Sequence, residues 1–352
     1  MQTKPLAHFS NKLNYLFARY DVSSFIFIRM SQHTFRPVAS LRGKSVEKAA
    51  QFNRTDIDDL CNLATEMKSF VESGGVIDAL RGKVMTPLFF ENSSRTYSSF
   101  CGAMLKLGGG VVSLNLETSS IAKGETLSDT IRTMTSYSDV LVLRHPQQEA
   151  LETAVKASPV PVMNGGNGTG EHPTQGLLDI LTIRTELGTV DGLVVALVGD
   201  LKNGRTVHSL SKLLVNNFDI AELILVAPDV VQMPQEVLDA FQKPVKITRA
   251  AALSEDLVRR VDVLYTTRLQ KERFSSAEDA NALALFDTVK ADLRINADTL
   301  KWAKEKMIVM HPLPRVDELC TSVDDDPRAA YFRQMRFGLF MRMAILFSVF
   351  SA

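Results

Sequence analysis

VMTPLFFENSSRTYSSFCGAML, residues 84–105, runs from an apolar stretch through a short polar turn into a helix-spaced pattern. Residues 84–90 are nearly all apolar and rich in strand formers, which suits a strand buried on both faces. Glu91-Asn92-Ser93-Ser94-Arg95-Thr96 breaks that run. Phe100, Met104 and Leu107 then recur at spacings of four and three, which suits a helix. The same strand, turn and helix sequence repeats along the chain. Further strands are predicted at 111–114, 140–143 and 160–163, and a second set at 193–198, 223–226, 261–265 and 307–310. Strands alternating with helix-length segments imply parallel sheets covered by helices on both faces. Two such sets predict an α/β chain with two doubly wound parallel-sheet domains, and not a single barrel. Residues 173–187 are the predicted bridging helix, with Leu177, Leu178, Leu181 and Ile183 inward and Gly188 as its stop. A last helix is predicted over 329–347.

The rest of the composition limits the function. The chain has 352 residues, 45% hydrophobic and 23% charged, which is ordinary globular composition and long enough for two domains. Lys plus Arg equals Asp plus Glu at 40 each, so no basic balance points to nucleic acid. Anion binding must come from locally placed cations. Cys61, Cys101 and Cys320 are odd in number and far apart, fitting neither a disulfide framework nor a zinc pattern, and imply a reducing, cytoplasmic setting. The apolar run 337–350 is interrupted by Arg342 and is too short to cross a bilayer, so it reads as a buried terminal helix. Residues 1–40 stand apart: five basic residues (Lys4, Lys12, Arg19, Arg29, Arg36) against one acid, Asp21. They read as a disordered extension or as translation ahead of a true start at Met30; a targeting segment is the other reading.

Five turns carry candidate chemistry. In the first, backbone N–H groups and the dipole at a helix start attract anions. Ser93, Ser94 and Thr96 offer hydroxyls, and Arg95 a forked cation suited to phosphate. The alternative is that these hydroxyls only cap the helix. The second turn is His172-Pro173-Thr174-Gln175, after the glycine-rich run 164–170. Glycines there let backbone approach a ligand closely, and His172 sits at a strand-to-helix loop where α/β sheets bind ligands. The plain alternative is a satisfied loop histidine. The third, residues 198–209, offers Arg205 at a helix start; its glycine spacing does not fit a dinucleotide loop. The fourth, residues 265–273, carries Arg268, and the fifth is Met310-His311-Pro312-Leu313-Pro314-Arg315. Arg95, Arg144, Arg205 and Arg268 all fall at or just beyond predicted strand ends, the ligand-binding edge of this architecture.

Together the motifs FFENSSRT, SSIAKGETLSDTIRT, LRHP, GEHPTQ, VGDLKNGRTVHSL, TTRLQKER and MHPLPRVDE resemble those of the aspartate carbamoyltransferase family, from about Leu41 to the C-terminus. The resemblance implies a carbamoyl phosphate-binding domain over 41–173 with 331–352, the last helix returning to it, and an aspartate-binding domain over 174–330. It implies that Ser93, Ser94, Arg95 and Thr96 hold the phosphate, with Arg144 and His172 near the carbonyl. Gln175 and the carbonyls of Pro312 and Leu313 would hold the carbamoyl nitrogen. Arg205, Arg268 and Gln270 would grip the carboxylates of aspartate. Ser119 and Lys123 would reach into a neighbouring subunit's site, in a homotrimer with no metal or cofactor. The pattern departs from many relatives at Ser94, commonly Thr, at Asn167, commonly Asp, and at Met335-Arg336-Phe337, commonly more polar.

The chemistry this implies needs several cations. The neutral amine of aspartate attacks the carbonyl carbon, a tetrahedral oxyanion forms, and phosphate leaves. Both substrates are anionic, so arginines must hold them together and oriented, with donors preplaced at the oxyanion; Arg95, Thr96 and His172 are the candidates. The nearest rival is an ornithine carbamoyltransferase, but relatives of that type carry Cys ahead of the late Leu-Pro, where this chain has His311-Pro312. Ornithine's side-chain cation would also face Arg268. A non-catalytic subunit that binds the same ligands is the rival from another class.

Overall fold

The computed structural model describes residues 34–269 and 290–351, and the described residues from Pro37 onward belong to one compact unit. Two all-parallel sheets form its frame. The first has the order β2-β1-β3-β4, with β1 Val84–Phe89, β2 Gly110–Val111, β3 Val140–His145 and β4 Val162–Asn167. The second has the order β7-β6-β5-β8-β9, with β5 Val194–Val198, β6 Glu222–Val226, β7 Ile247–Ala250, β8 Val263–Thr266 and β9 Ile308–Met310. All eight predicted strands form, with altered ends. Strand 111–114 shrinks to two residues because Pro87 in β1 has no N–H with which to extend a second ladder beyond Met85. Strand 160–163 starts later because Pro161 precedes it.

β7 is the strand that sequence reading missed. It is an edge strand, paired only to β6, and its residues alternate between exposed and half-buried. No apolar run marks such a strand, so the second sheet has five strands where four were expected.

The helices are positioned by local signals. α1 (Arg54–Glu72) starts on an Asn53 capping box closed by Asp56. α2 (Ser94–Lys106), α3 (Leu127–Thr135) and α4 (Glu149–Ala157) follow strands of the first sheet. α5 (Pro173–Leu187) has Pro173 in its first turn and ends on Gly188 at φ 78°, as its sequence implies. It packs against α6 (Arg205–Asn217) and against α7 (Tyr331–Phe350). α7 also packs on α1 and α2, so the chain's end lies on helices of the first sheet. Phe340, Met341, Ile345 and Leu346 are fully buried there, each contributing about 1.5–3 kcal/mol. Among the described residues no helix is long and apolar enough to cross a membrane.

The topology sets where a ligand can bind. Strand order reverses between β1 and β3 in one sheet and between β5 and β8 in the other. In open α/β sheets, ligands sit outside the carboxyl ends of strands at such switch points. The loops after β1, β4, β5, β8 and β9, with Arg144 at the end of β3, contribute to one cavity.

Candidate active site

The first wall comes from the turn after β1. Ser93 is the N-cap of α2, yet its side chain makes no capping hydrogen bond. The capping account of this turn therefore fails for Ser93, and the first N–H groups of α2 remain available to an anion. Ser93, Arg95 and Thr96 line a cavity of about 420 Å³, whereas Ser94, the first residue of α2, does not. Burial holds the Arg95 guanidinium below its ordinary pKa. Thr96 Oγ1 lies 3.3 Å from His172 Nε2, close enough for the two groups to address one shared oxygen.

His172 is buried at the N-cap of α5. Burial, then the charges of Arg342, Arg144 and Arg205, push its pKa well below the ordinary histidine value. The ring is thus neutral near pH 7, and its Nδ1 has no partner among the described residues. Gln175, one turn along α5, also lines the cavity.

Arg144, at the end of β3, is buried and donates to the Gly165 carbonyl at 3.2 Å. Burial, reinforced by Arg205, lowers its pKa to about 10. Arg205 begins α6, on the other sheet's side of the cavity. Its Nη1 donates to Glu91 Oε2 and to the Gly168 carbonyl, both at 2.8 Å, and its Nη2 donates to Glu91 Oε1 at 3.2 Å. Glu91 Oε2 also lies 3.3 Å from Arg144 Nε. One carboxylate from the first turn thus holds an arginine from each sheet. Gly166 makes room for this: a Cβ there would sit 3.1 Å from both guanidiniums. The glycine run serves the arginines more than a ligand, since Gly168 alone of it lines the cavity.

Arg268, just past β8, lines the same cavity, as do Pro312 and Leu313 past β9. His311 shapes that last turn. Its Nδ1 accepts from the Leu313 N–H at 2.7 Å and its Nε2 pairs with Glu318 at 2.8 Å. Leu313 has φ 56°, a conformation uncommon outside glycine.

Two contributors were missed in the sequence. Glu91 sat inside the quoted turn without a role; the available signal was an acid within an otherwise anion-seeking segment, which needs a cationic partner. Arg342 was read only as an interruption of the apolar run. It is buried on α7, lines the cavity, donates to Ser99 Oγ at 2.8 Å, and burial lowers its pKa to about 10. A cation within a buried helix is costly unless something balances it.

Other expected residues lie elsewhere. Ser119 and Lys123, on the turn before α3, do not line this chain's cavity, and Lys123 is exposed. His208, within the third motif but given no role there, binds the Leu201 carbonyl at 2.8 Å. Gln270 and residues 1–33 lie outside the described residues. Among the described residues no group of His, Cys, Asp or Glu could hold a metal ion. The described lining carries Arg95, Arg144, Arg205, Arg268 and Arg342 against one carboxylate, Glu91. Such a surface suits a ligand with several negative charges.

Comparisons with known proteins agree with this geometry. Residues 44–185 match the carbamoyl-phosphate binding domain of aspartate/ornithine carbamoyltransferases, and residues 191–349 match the Asp/Orn binding domain. The chain is 46% identical over 313 residues to multifunctional protein pyr1-3 of Dictyostelium discoideum, covering 89% of this chain but only 14% of that protein. It is 41% identical to the aspartate carbamoyltransferase catalytic subunit of Thermoplasma volcanium, covering 88% of this chain and 99% of that subunit. Among solved structures, aspartate transcarbamoylase from Trypanosoma cruzi with carbamoyl phosphate and aspartate superposes with a TM-score of 0.87 at 61% identity, covering 90% of this chain and all of that one. The same enzyme with N-(phosphonacetyl)-L-aspartic acid gives 0.87 at 59% identity, over 90% and 99% of the two chains. Matched by both domain models and near-identical in fold to these structures, the chain belongs to the aspartate/ornithine carbamoyltransferase family.

Proposed function

We propose that this chain is an aspartate carbamoyltransferase, which joins carbamoyl phosphate to L-aspartate to give N-carbamoyl-L-aspartate and phosphate, a step of pyrimidine biosynthesis. The observation that carries this reading is the set of arginines from both sheets around one cavity, beside a neutral His172 that is 3.3 Å from Thr96. Two anionic substrates repel one another, and cations from both sides hold them in reacting geometry.

In this reading Ser93, Arg95 and the N-terminus of α2 hold the phosphate, with Ser94 contributing through its backbone. The amine lone pair attacks the carbonyl carbon. Thr96, Arg144 and neutral His172 donate to the developing oxyanion, a type of contact worth about 2.7–4 kcal/mol each. The bond from carbon to the phosphate oxygen breaks, and the amine proton leaves with phosphate. Phosphate is itself a good leaving group, so no covalent enzyme intermediate, metal or cofactor is invoked. Arg205, Arg268 and Gln270 take the carboxylates of aspartate. Gln175 and the carbonyls of Pro312 and Leu313 accept from the carbamoyl nitrogen.

The domain division is 41–173 with 331–352 for carbamoyl phosphate and 174–330 for aspartate; the packing of α7 on α1 and α2 supports returning 331–352 to the first domain. The assembly is a cytoplasmic homotrimer, in which Ser119 and Lys123 complete the next chain's site. The exposure of Lys123 away from its own cavity supports that arrangement. An ornithine side chain, being cationic, is disfavoured among these arginines.

The test is one steady-state assay with carbamoyl phosphate and either aspartate or ornithine. Carbamoyl aspartate and no carbamoylated ornithine is expected. The opposite pattern, or no turnover with either, would overturn the reading.

A further inference from the structure

Behind the cavity lies a buried polar network, of whose side chains the reaction scheme above uses Gln175 alone. It centres on Asp179 of α5 and Gln334 of α7, neither of which has any exposed surface. The direction of each of its hydrogen bonds can be worked out from one fixed end. The His311 backbone N–H is always a donor, and it donates to Gln334 Oε1 at 3.0 Å. With its oxygen committed, the Gln334 amide turns Nε2 the other way, to donate to Asp179 Oδ1 at 2.6 Å. Tyr265, from β8, donates to Asp179 Oδ2 at 2.9 Å. Oδ1 is therefore an acceptor, and it also lies 2.9 Å from the Gln175 amide. Turning that amide end for end would press oxygen against oxygen. Gln175 must present Nε2 to Asp179, which leaves Oε1 as the amide atom turned away from that carboxylate, on a residue that lines the cavity.

We propose that Asp179 is a positioning residue that makes the carbamoyl-nitrogen subsite accept hydrogen bonds only, by locking Gln175 with its amide oxygen toward the substrate. This rests on the reading that Gln175 faces the carbamoyl nitrogen. Asp179 touches no substrate. The same network holds the turn after β9, because Gln334 anchors the His311 backbone and His311 in turn receives the Leu313 N–H. Gln175, Pro312 and Leu313, on two different elements, are thus tied to one buried carboxylate. The NH₂ of carbamoyl phosphate suits such a subsite, and a methyl group in its place leaves the acceptors without a donor. Burial pushes the Asp179 carboxyl up to about 7. A proton acquired there goes to Oδ2, since Oδ1 already takes two N–H groups; the Tyr265 hydroxyl then turns from donor to acceptor at that oxygen, and the order of the glutamines is unchanged.

The test compares kcat/KM for carbamoyl phosphate and for acetyl phosphate, which carries methyl in place of NH₂, at saturating aspartate. In the wild-type protein the ratio should strongly favour carbamoyl phosphate. Asp179→Leu keeps the branched shape, though with bulkier methyls, and removes the acceptor, so the Gln175 amide loses its fixed sense. The ratio should fall tenfold or more, through loss on carbamoyl phosphate and not through gain of general activity. Asp179→Asn keeps Oδ1 as acceptor for both glutamines and turns its nitrogen to Tyr265, so the ratio should stay within threefold of wild type. A folded Asp179→Leu with the wild-type ratio overturns the proposal, as does an Asp179→Asn that loses as much as Asp179→Leu. If Asp179→Leu does not fold, neutron diffraction from deuterium-exchanged wild-type crystals decides the point. Deuterons on the Gln175 atom facing Asp179 support it, and deuterons on the atom facing the cavity overturn it. A wild-type protein inactive on carbamoyl phosphate with aspartate would instead bring down the functional reading itself.

Discussion

At the scale of single residues, the unusual group is a histidine that cannot act as an acid. Burial and three nearby arginines keep His172 neutral, so in the proposed reaction it acts as a hydrogen-bond donor and not as a proton source. Its ring should keep its neutral chemical shift as pH falls from 8 through the ordinary histidine range near ~6.5, when followed by NMR. A normal titration in that range would contradict the burial argument. His172→Ala should lower kcat by about a hundredfold or more, with smaller effects on either KM, because an oxyanion donor acts mainly in the transition state. If KM alone moved, His172 would be a ground-state contact. Arg268 lies on the second sheet's side of the cavity. Arg268→Ala should leave carbamoyl phosphate binding intact and raise the KM for aspartate, by an amount equivalent to about 1.5–3 kcal/mol for a lost charge-assisted contact. Unaltered aspartate saturation would remove Arg268 from the site.

At the scale of elements, β4 and α7 contribute to the site through packing. Gly166 stands at φ 116° on β4, where a side chain is strained whatever the space, and its missing Cβ leaves room for Arg144 and Arg205. Gly166→Ala should cost stability on the order of 1–3 kcal/mol and also weaken substrate binding, because both guanidiniums must move. Thermal unfolding together with substrate saturation checks both halves; a stable, fully active variant would show that the arginines have slack. Phe340 on α7 is fully buried. Phe340→Ala should cost about 3–5 kcal/mol in denaturant unfolding. A loss below about 1 kcal/mol would mean that α7 is docked by its polar contacts, such as Arg342 to Ser99, and not by its apolar face.

At the scale of the whole molecule, the two sheets meet around one arginine-lined cavity, while Lys123 of the same chain does not line it. The proposed shared-site trimer makes a quantitative prediction. Lys123→Ala and His172→Ala, prepared separately, should each be nearly inactive. Mixed, dissociated and reassociated at random, they should recover about a quarter of all sites, because in a cyclic trimer an intact site takes His172 from one chain and Lys123 from the next. Flat activity after verified subunit exchange would rule out the shared site.

The amino-acid order alone determined the alternation of buried strands with helices, the bridging helix between Pro173 and Gly188, and the strand-end placement of Arg95, Arg144, Arg205 and Arg268. These are local properties: apolar runs, caps and breakers act over a few residues, so they can be read without contacts. β7 escaped because an edge strand with exposed residues leaves no apolar run. Glu91, Asp179 and Arg342 escaped for a different reason. Each owes its role to a partner more than a hundred positions away: Arg205 for Glu91, Gln334 for Asp179 and Ser99 for Arg342. A charge or an amide has no fixed meaning until its hydrogen-bond partner is known, and only the tertiary fold brought those partners within 3 Å.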